Sequence, residues 1–342
     1  MLRRVVHFLL GHKPSLKAPV RGDQVGKLGA EAVDLNGFKS MQSTIRTPAS
    51  CAGVGLHSGA QVSITLLPAE PNTGIVFRRT DLTSDDAYIA ARFDRVRTTE
   101  LGTTLANARG VAVATVEHLM SALSGLGVDN VVVEVSGPEI PIMDGSARPF
   151  VELIDRAGIE YSAEPKKLVR VLKPVVIEEG EKRAVLAPAD AFCVAFAIEF
   201  SSAAIGHQEF EAEISPLAFR RFIAPARTFG FLHEVEYLRS RGLALGGSLE
   251  NAIVVSEDRI LNTEPLRFKD EFVRHKMLDA VGDLALAGAP LVARYEGVKA
   301  GHELNNRLLR ALFADESAWR YERARTEPRP VPGYGVLSAP AF

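Results

Sequence analysis

The sequence predicts an α+β protein made of two similar halves, each with its strands first and two helices after them. Two kinds of pattern and one break carry that prediction. Short runs such as QVSITLLPA, NVVVEVSG and FCVAFAIEF have the alternation or β-branched density of strands. Residues 116–127 and 270–283 repeat their apolar positions at helical spacing. A polar stretch, YSAEPKK at 161–167, separates the halves and reads as a link between domains. At 342 residues the chain has room for two cores.

Residues 1–40 are rich in Gly, Lys and scattered polar residues without a sustained period, and read as a disordered extension or a mis-assigned start. The first domain is expected over 41–162. Met41 opens it, followed by the Gly-rich turn GVGLHSG (53–59) and the strand QVSITLLPA. Then come a strand GVAVAT (110–115), a helix VEHLMSALSGLG (116–127) with Thr115 as its N-cap, and a strand NVVVEVSG (130–137). PEIPIMDGSA (138–147) is a Pro- and Gly-punctuated loop, and RPFVELIDRAG a second helix. The second domain is expected over 168–322, with strands LVRVLKPVVIEE and FCVAFAIEF and a helix through SPLAFRRFIAPA. An irregular segment from Arg227 follows, then a helix over 269–287, the strand LVARYEGV, and a helix from about Glu303 to Phe313. Residues 323–342, with four prolines, read as a flexible tail.

Composition excludes several classes. Hydrophobic residues make up 46% and charged residues 24%, as in a soluble globular protein. Lys plus Arg number 40 against 42 for Asp plus Glu, so nothing recruits nucleic acid or an anionic membrane as main partner. The two cysteines, Cys51 and Cys193, exclude a disulfide framework and a cysteine-based zinc finger and fit a reducing, cytoplasmic setting. No apolar run approaches the ~20 residues of an integral membrane segment. The opening MLRRVVHFLLGHKPS is interrupted by His7 and lacks a signal-peptide cleavage pattern.

The most informative stretch is DEFVRHKMLDAVGD (270–283). On a helix His275, Asp279 and Asp283 fall within an arc of roughly 80°. Val273, Met277, Val281 and Leu284 gather on the other side. An imidazole and a carboxylate one turn apart can grip one divalent ion, with zinc the leading candidate; an isolated pair of this kind is also an ordinary solvated face. The first half supplies partners. Glu117 and His118 begin a helix just beyond a strand, and Val116, Leu119, Met120 and Leu123 share its buried face. His118, His275 and Asp279 would make a three-ligand set with a fourth position open, the pattern of a catalytic zinc site. Glu117 then sits where a base is needed. The dipeptide is weak alone and is not the H-E-x-x-H of metalloproteases. His302 in KAGHELNN stands in a strand-to-helix turn and reads as a functional or a capping histidine. Thr228 in RTFGF reads as a site hydroxyl or a buried strand-end threonine, and His57 as a turn residue with or without a role.

Taken together, GVGLHSG, TVEHLMSALSGLGVDNVVVEV, PEIPIMDGSARPF, ARTFGF, GLALGGS, FVRHKMLDAVGDL and GHELNN resemble the bacterial UDP-3-O-acyl-N-acetylglucosamine deacetylase family, in order, over roughly residues 41–320. Only the first 40 residues have no counterpart. The resemblance implies two α+β domains of similar topology, related to the ribosomal protein S5 domain 2-like fold. Each carries a small insert (the second at about 231–262), and the active site lies between the domains. It implies zinc-dependent release of acetate from the acylated UDP sugar, the committed step of lipid A biosynthesis in the cytoplasm of a Gram-negative bacterium. The protein is expected to be a monomer with a small-molecule substrate.

By the same resemblance, His118, His275 and Asp279 hold Zn²⁺, with Fe²⁺ as a substitute. Glu117 is the general base, and His302 the cationic acid that protonates the departing amine. Thr228 donates to the oxyanion and Asp283 orients His302. Lys276 faces the substrate phosphates, Phe229 packs on the sugar, and His57, Lys182 and Phe200 surround the nucleotide. Val235, Leu238 and Leu243 line a passage for the acyl chain. An apolar insert then has a purpose, since each buried CH₂ contributes about 0.8 kcal/mol. A histidine at a helix N-terminus is pushed toward neutrality by the dipole, so Asp283 is needed to keep His302 charged. A zinc peptidase or other amidohydrolase, and a non-catalytic binding protein of the same fold, are the competing readings.

Overall fold

Val131–Val135 carries four valines in five positions and is buried on one face throughout, the signature of a strand packed inside a sheet. In the computed structural model, which describes residues 40–83 and 87–324, it is the central strand of five. The order is Ala49–Val54, Gln61–Pro68, Val131–Val135, Ile75–Arg79 and Tyr88–Ala90. The central strand runs antiparallel to Gln61–Pro68 and parallel to Ile75–Arg79. A second five-stranded sheet has the order Val175–Glu179, Lys182–Ala187, Arg294–Val298, Cys193–Glu199 and His207–Glu213. Its central strand, Arg294–Val298, again pairs antiparallel on one side and parallel on the other. The α+β expectation holds.

Among the described residues six α-helices accompany these sheets: α1 (Glu117–Gly125), α2 (Arg148–Ala157), α3 (Pro216–Ala218), α4 (Leu232–Ser240), α5 (Glu271–Ala285) and α6 (His302–Ala314). α1 precedes and α2 follows the central strand of the first sheet; α5 and α6 do the same for the second. Between each edge strand and its following long helix lies a small three-stranded sheet. One is Val96–Thr98, Thr104–Ala106 and Ala112–Val113; the other is Phe229–Phe231, Ile253–Ser256 and Arg259–Ile260, joined by α4.

α1 and α5 form the centre. A helix buried on all sides must pack against other elements everywhere, and here the two helices pack on each other. His275, Asp279 and Asp283 are therefore 2%, 5% and 3% exposed, not solvated. The backbones come close at Gly282, where an added methyl would overlap the Glu117 carbonyl oxygen. At the other end of α1, a methyl on Gly125 would overlap the Phe219 ring.

Local details depart from the sequence reading. Thr115 does not cap α1: it adopts φ 57° and its hydroxyl bonds Glu139, while Val116 holds the cap position without a side-chain bond. Residues 161–167 are not a loose link. Ile159–Pro165 pairs antiparallel with Met41–Ile45, and Lys167–Val171 lies between Leu291–Val292 and Trp319–Arg323. Buried Lys166 joins these strands and pairs with Asp129 at 2.9 Å. The expected helix over 215–226 shortens to α3 followed by a wider π turn at Phe219–Ile223. The segment read as irregular contains two strands and α4, because its apolar residues are too few and too interrupted to show a period. Strands at Ile75–Arg79, Tyr88–Ala90, His207–Glu213 and Trp319–Arg323 went unread. The expectations for residues 1–39 and 325–342 lie outside the described residues. No helix among the described residues is long and apolar enough to cross a membrane.

The glycine contact yields a first prediction. Gly282→Ala forces the backbones of α1 and α5 apart, and overpacking of this kind costs about 1–3 kcal/mol. Guanidinium unfolding should show a lower midpoint at an unchanged slope; an unaltered midpoint would mean that the helices are free to separate.

Candidate active site

The helical repeat sets His275, Asp279 and Asp283 in one row on α5, and the Gly282 crossing brings the first turn of α1 against that row. His118, His275 and Asp279 each offer one ligand atom, all within 4.8 Å of one another. Asp279 Oδ1 lies 3.6 Å from His118 Nε2 and 3.3 Å from His275 Nε2. The two imidazole rings meet edge to face with centroids 5.0 Å apart. His275 Nδ1 donates to the Ala226 carbonyl at 3.1 Å, which leaves the Nε2 lone pair facing His118 and Asp279. His118 Nδ1 is buried without a hydrogen-bond partner among the described residues.

Protonation suits metal ligation. Burial pushes the His275 imidazole down to about 3 against the pull of Asp279, so it is neutral at physiological pH. Burial resists ionisation of Asp279, yet the facing His275 and the Lys276 ammonium hold its carboxyl well below the usual carboxylate range. An unprotonated imidazole nitrogen and a carboxylate oxygen are the donors that a borderline divalent cation takes. This set fits such an ion.

A second cluster adjoins the first. Glu117 Oε2 accepts from the Thr103 amide at 2.9 Å, and the Thr103 hydroxyl donates to Asp283 Oδ1 at 2.6 Å. Asp283 Oδ2 bonds His302 Nδ1 at 2.8 Å and accepts from Asn305 Nδ2 at 2.9 Å. Tyr295 OH in turn donates to Asn305 Oδ1 at 2.6 Å. Burial raises the Glu117 carboxyl, outweighing the opposing pull of His302 and His118. Burial works against the His302 cation, but Asp283 and Glu117 overcome it and raise its imidazole to about 9. A carboxyl raised by burial beside a histidine held cationic is a pair able to accept and to donate a proton.

The remaining sequence candidates fall in several places. Phe229 stands 6.3 Å from the His275 ring, and it packs on Phe200 (5.8 Å) and Phe272 (5.0 Å). Lys276 donates to Asp279 Oδ2 at 2.7 Å, so in this structure its charge is spent on a candidate ligand. Thr228 is half-buried; its amide donates to the Gly145 carbonyl and its own carbonyl accepts from Ile253. Val235 and Leu238 lie half-buried on α4, with Leu243 just beyond, its amide bonded to Leu238. His57 lies in its glycine-rich turn, where its amide donates to Glu139 and its ring approaches the Leu101 carbonyl at 3.3 Å. Lys182 is exposed at the start of Lys182–Ala187.

The sequence reading missed Thr103, Asn305 and Ala226. Asn305 was within reach, standing three residues after His302 on the same helix. Ala226 acts through its backbone, and Thr103, whose hydroxyl reaches Asp283, comes from an unread hairpin, so no spacing in the sequence signals either.

Residues 42–314 match the family model described as UDP-3-O-acyl N-acetylglycosamine deacetylase. A protein of Phenylobacterium zucineum named UDP-3-O-acyl-N-acetylglucosamine deacetylase is 57% identical over 279 residues, covering 82% of this chain and 95% of the relative. One of the same name from Histophilus somni is 51% identical over 282 residues, covering 82% and 92%. Another, from Shewanella loihica, is 51% identical over 280 residues, covering 81% and 91%.

The donor set predicts roughly one tightly held divalent ion per chain. After dialysis, elemental analysis should find that content sharply reduced in His118→Ala, His275→Ala and Asp279→Ala. Retention of a full complement by all three would exclude this centre.

Proposed function

The chain belongs to the UDP-3-O-acyl N-acetylglycosamine deacetylase family, and from that premise we propose how its buried cluster performs the family's reaction. The reaction is hydrolysis of the acetamide of a UDP-3-O-acyl-N-acetylglucosamine to acetate and the free amine. The observation that carries the assignment of roles is the convergence of His118, His275 and Asp279 beside an elevated carboxyl, Glu117, and a cationic histidine, His302.

His118, His275 and Asp279 would hold the cation. Zinc is the ion that two imidazoles and one carboxylate suit best, with Fe²⁺ as a substitute. When bound, such an ion supplies Lewis-acid polarisation of a carbonyl and lowers the pKa of water. Glu117 takes a proton from the attacking water while oxygen adds to the acetamide carbon. Its elevated pKa makes the carboxylate a stronger base than a surface glutamate, and the Thr103 amide holds it in place. Thr228 donates to the developing oxyanion; loss of one such donor typically costs about 3 kcal/mol of barrier. As the C–N bond breaks, His302 delivers its proton to the departing nitrogen, and Asp283 keeps that imidazole charged and oriented.

Substrate recognition follows the same elements. Phe229 packs on the sugar, Lys276 serves the phosphates, and His57, Lys182 and Phe200 serve the nucleotide. Val235, Leu238 and Leu243 receive the acyl chain at about 0.8 kcal/mol per buried CH₂. The matching order of the two five-stranded sheets supports two domains of similar, ribosomal protein S5 domain 2-like topology, at 41–162 and 168–322. The reading places the enzyme in the cytoplasm as a monomer on the route to lipid A.

Three predictions test these roles. Glu117→Ala should lower acetate release from the acylated UDP sugar by about 10²–10⁴-fold with the ion retained; wild-type turnover would remove Glu117 as base. The pH profile of turnover should be bell-shaped. It rises as Glu117 ionises above the usual carboxylate range and falls as His302 loses its proton, near about 9. A bound cation adds positive charge and brings that upper limb down. Asp283→Asn removes the counter-charge from His302, so the upper limb should move to lower pH with reduced turnover. An unmoved limb would mean that Asp283 does not set the acid.

A further inference from the structure

The peptide unit between Ala226 and Arg227 is held at both ends by residues one turn apart on α5. Its carbonyl accepts from His275 Nδ1 at 3.1 Å, and its N–H donates to Glu271 Oε1 at 3.0 Å. In a trans peptide those two groups point in opposite directions, and residues four apart on a helix lie about 6 Å from each other on one face. One rigid plane therefore bridges Glu271 and His275.

Glu271 is fully buried, and the Arg227 side chain, 2% exposed, neutralises it. Arg227 Nε and Nη2 donate to the two Glu271 oxygens at 2.9 and 3.2 Å. Its remaining bonds run to Glu264 at 3.0 Å and the Pro265 carbonyl at 2.9 Å. The Arg267 amide adds a fourth donor to Glu271, at 2.6 Å. The Arg267 side chain in turn ties the Pro225 carbonyl (3.0 Å) to Asp144 (2.9 Å). The segment Pro225–Arg227 thus has no freedom to rotate its peptide without breaking a buried charge pair.

We propose that Glu271, locked to Arg227, is a positioning residue for the candidate metal centre: it fixes the Ala226 carbonyl that selects the ring orientation and tautomer of His275. This rests on His275 being a ligand, as proposed above. A buried ion pair is seldom a gain in stability over apolar packing, and here the pair has a directional task that apolar side chains would not perform. The Glu271 carboxylate never touches substrate or ion; it acts through one peptide and one ring.

The test uses the full chain, with Zn²⁺ affinity measured by chelator competition and the His275 ring nitrogens followed by ¹⁵N NMR in metal-free protein. Glu271→Gln should weaken Zn²⁺ binding about 10- to 100-fold, the usual cost of losing an outer-shell partner. The His275 resonances should also lose their preference for the Nδ1–H tautomer. Lys166→Met breaks the buried pair with Asp129 beyond the far end of α1; it should lose thermal stability yet keep wild-type affinity. If Glu271→Gln does not fold, Arg227→Lys, which keeps the charge but not the planar fork, is read in its place and should move both signals the same way. A folded variant with wild-type affinity and unshifted His275 nitrogens overturns the proposal. Wild-type affinity in His275→Ala would instead overturn the metal centre on which it rests.

Discussion

Everything in the candidate site depends on how near the backbones of α1 and α5 come at Gly282. Two of the three candidate ligands stand on α5, and the third, His118, on α1. Only the missing side chain at 282 lets the Glu117 carbonyl sit against the other helix. A larger residue would move His118 and Glu117 together, because they are neighbours on the same rigid turn. The candidate ligand and the proposed base are therefore placed by one packing contact, and packed interiors relax little around such a change.

The contact also determines what the site must do to remain folded. Burying Glu117, Asp279 and Asp283 carries a desolvation penalty that only pairing and hydrogen bonding offset. Lys276 answers Asp279, and three donors answer Asp283. Thr103 couples the parts, its amide serving Glu117 and its hydroxyl serving Asp283. One residue of a small hairpin thereby links the proposed base to the carboxylate that holds the proposed acid. A displacement of that hairpin disturbs both proton carriers at once.

This coupling explains which parts of the molecule were legible in the sequence. The long helices and central strands were readable because periodicity reports burial directly, and the row of His275, Asp279 and Asp283 follows from helical geometry alone. His118, Glu117 and His302 stood out at strand-to-helix junctions, and the motifs that resemble the deacetylase family supplied their expected roles. What escaped acts through the backbone or across large separations. Ala226 contributes a carbonyl, and Thr103 meets Asp283 from 180 positions away. Lys166 sits in what reads as a polar link, yet its ammonium is buried against Asp129, and composition does not disclose a partner so far along the chain. The extent of α5 burial escaped for a related reason: a row of polar residues reads as a solvated face until another helix is laid against it.

The two proposed histidine roles show how far such partners decide chemistry. His275 is buried and His302 half-buried, and burial alone lowers the pKa of any imidazole. His275 gives its Nδ1 proton to a neutral carbonyl, which leaves desolvation in command and the ring at about 3. His302 faces a carboxylate, Asp283, whose charge reverses the balance and carries the ring to about 9. The same side chain thus suits an electron-pair donor in one place and a proton donor in the other. The difference lies in the balance of charge: Asp279 faces His275 but His118 and Lys276 oppose its pull, whereas Asp283 and Glu117 both favour the His302 cation. For that reason the groups behind the histidines carry as much of the proposed mechanism as the histidines themselves.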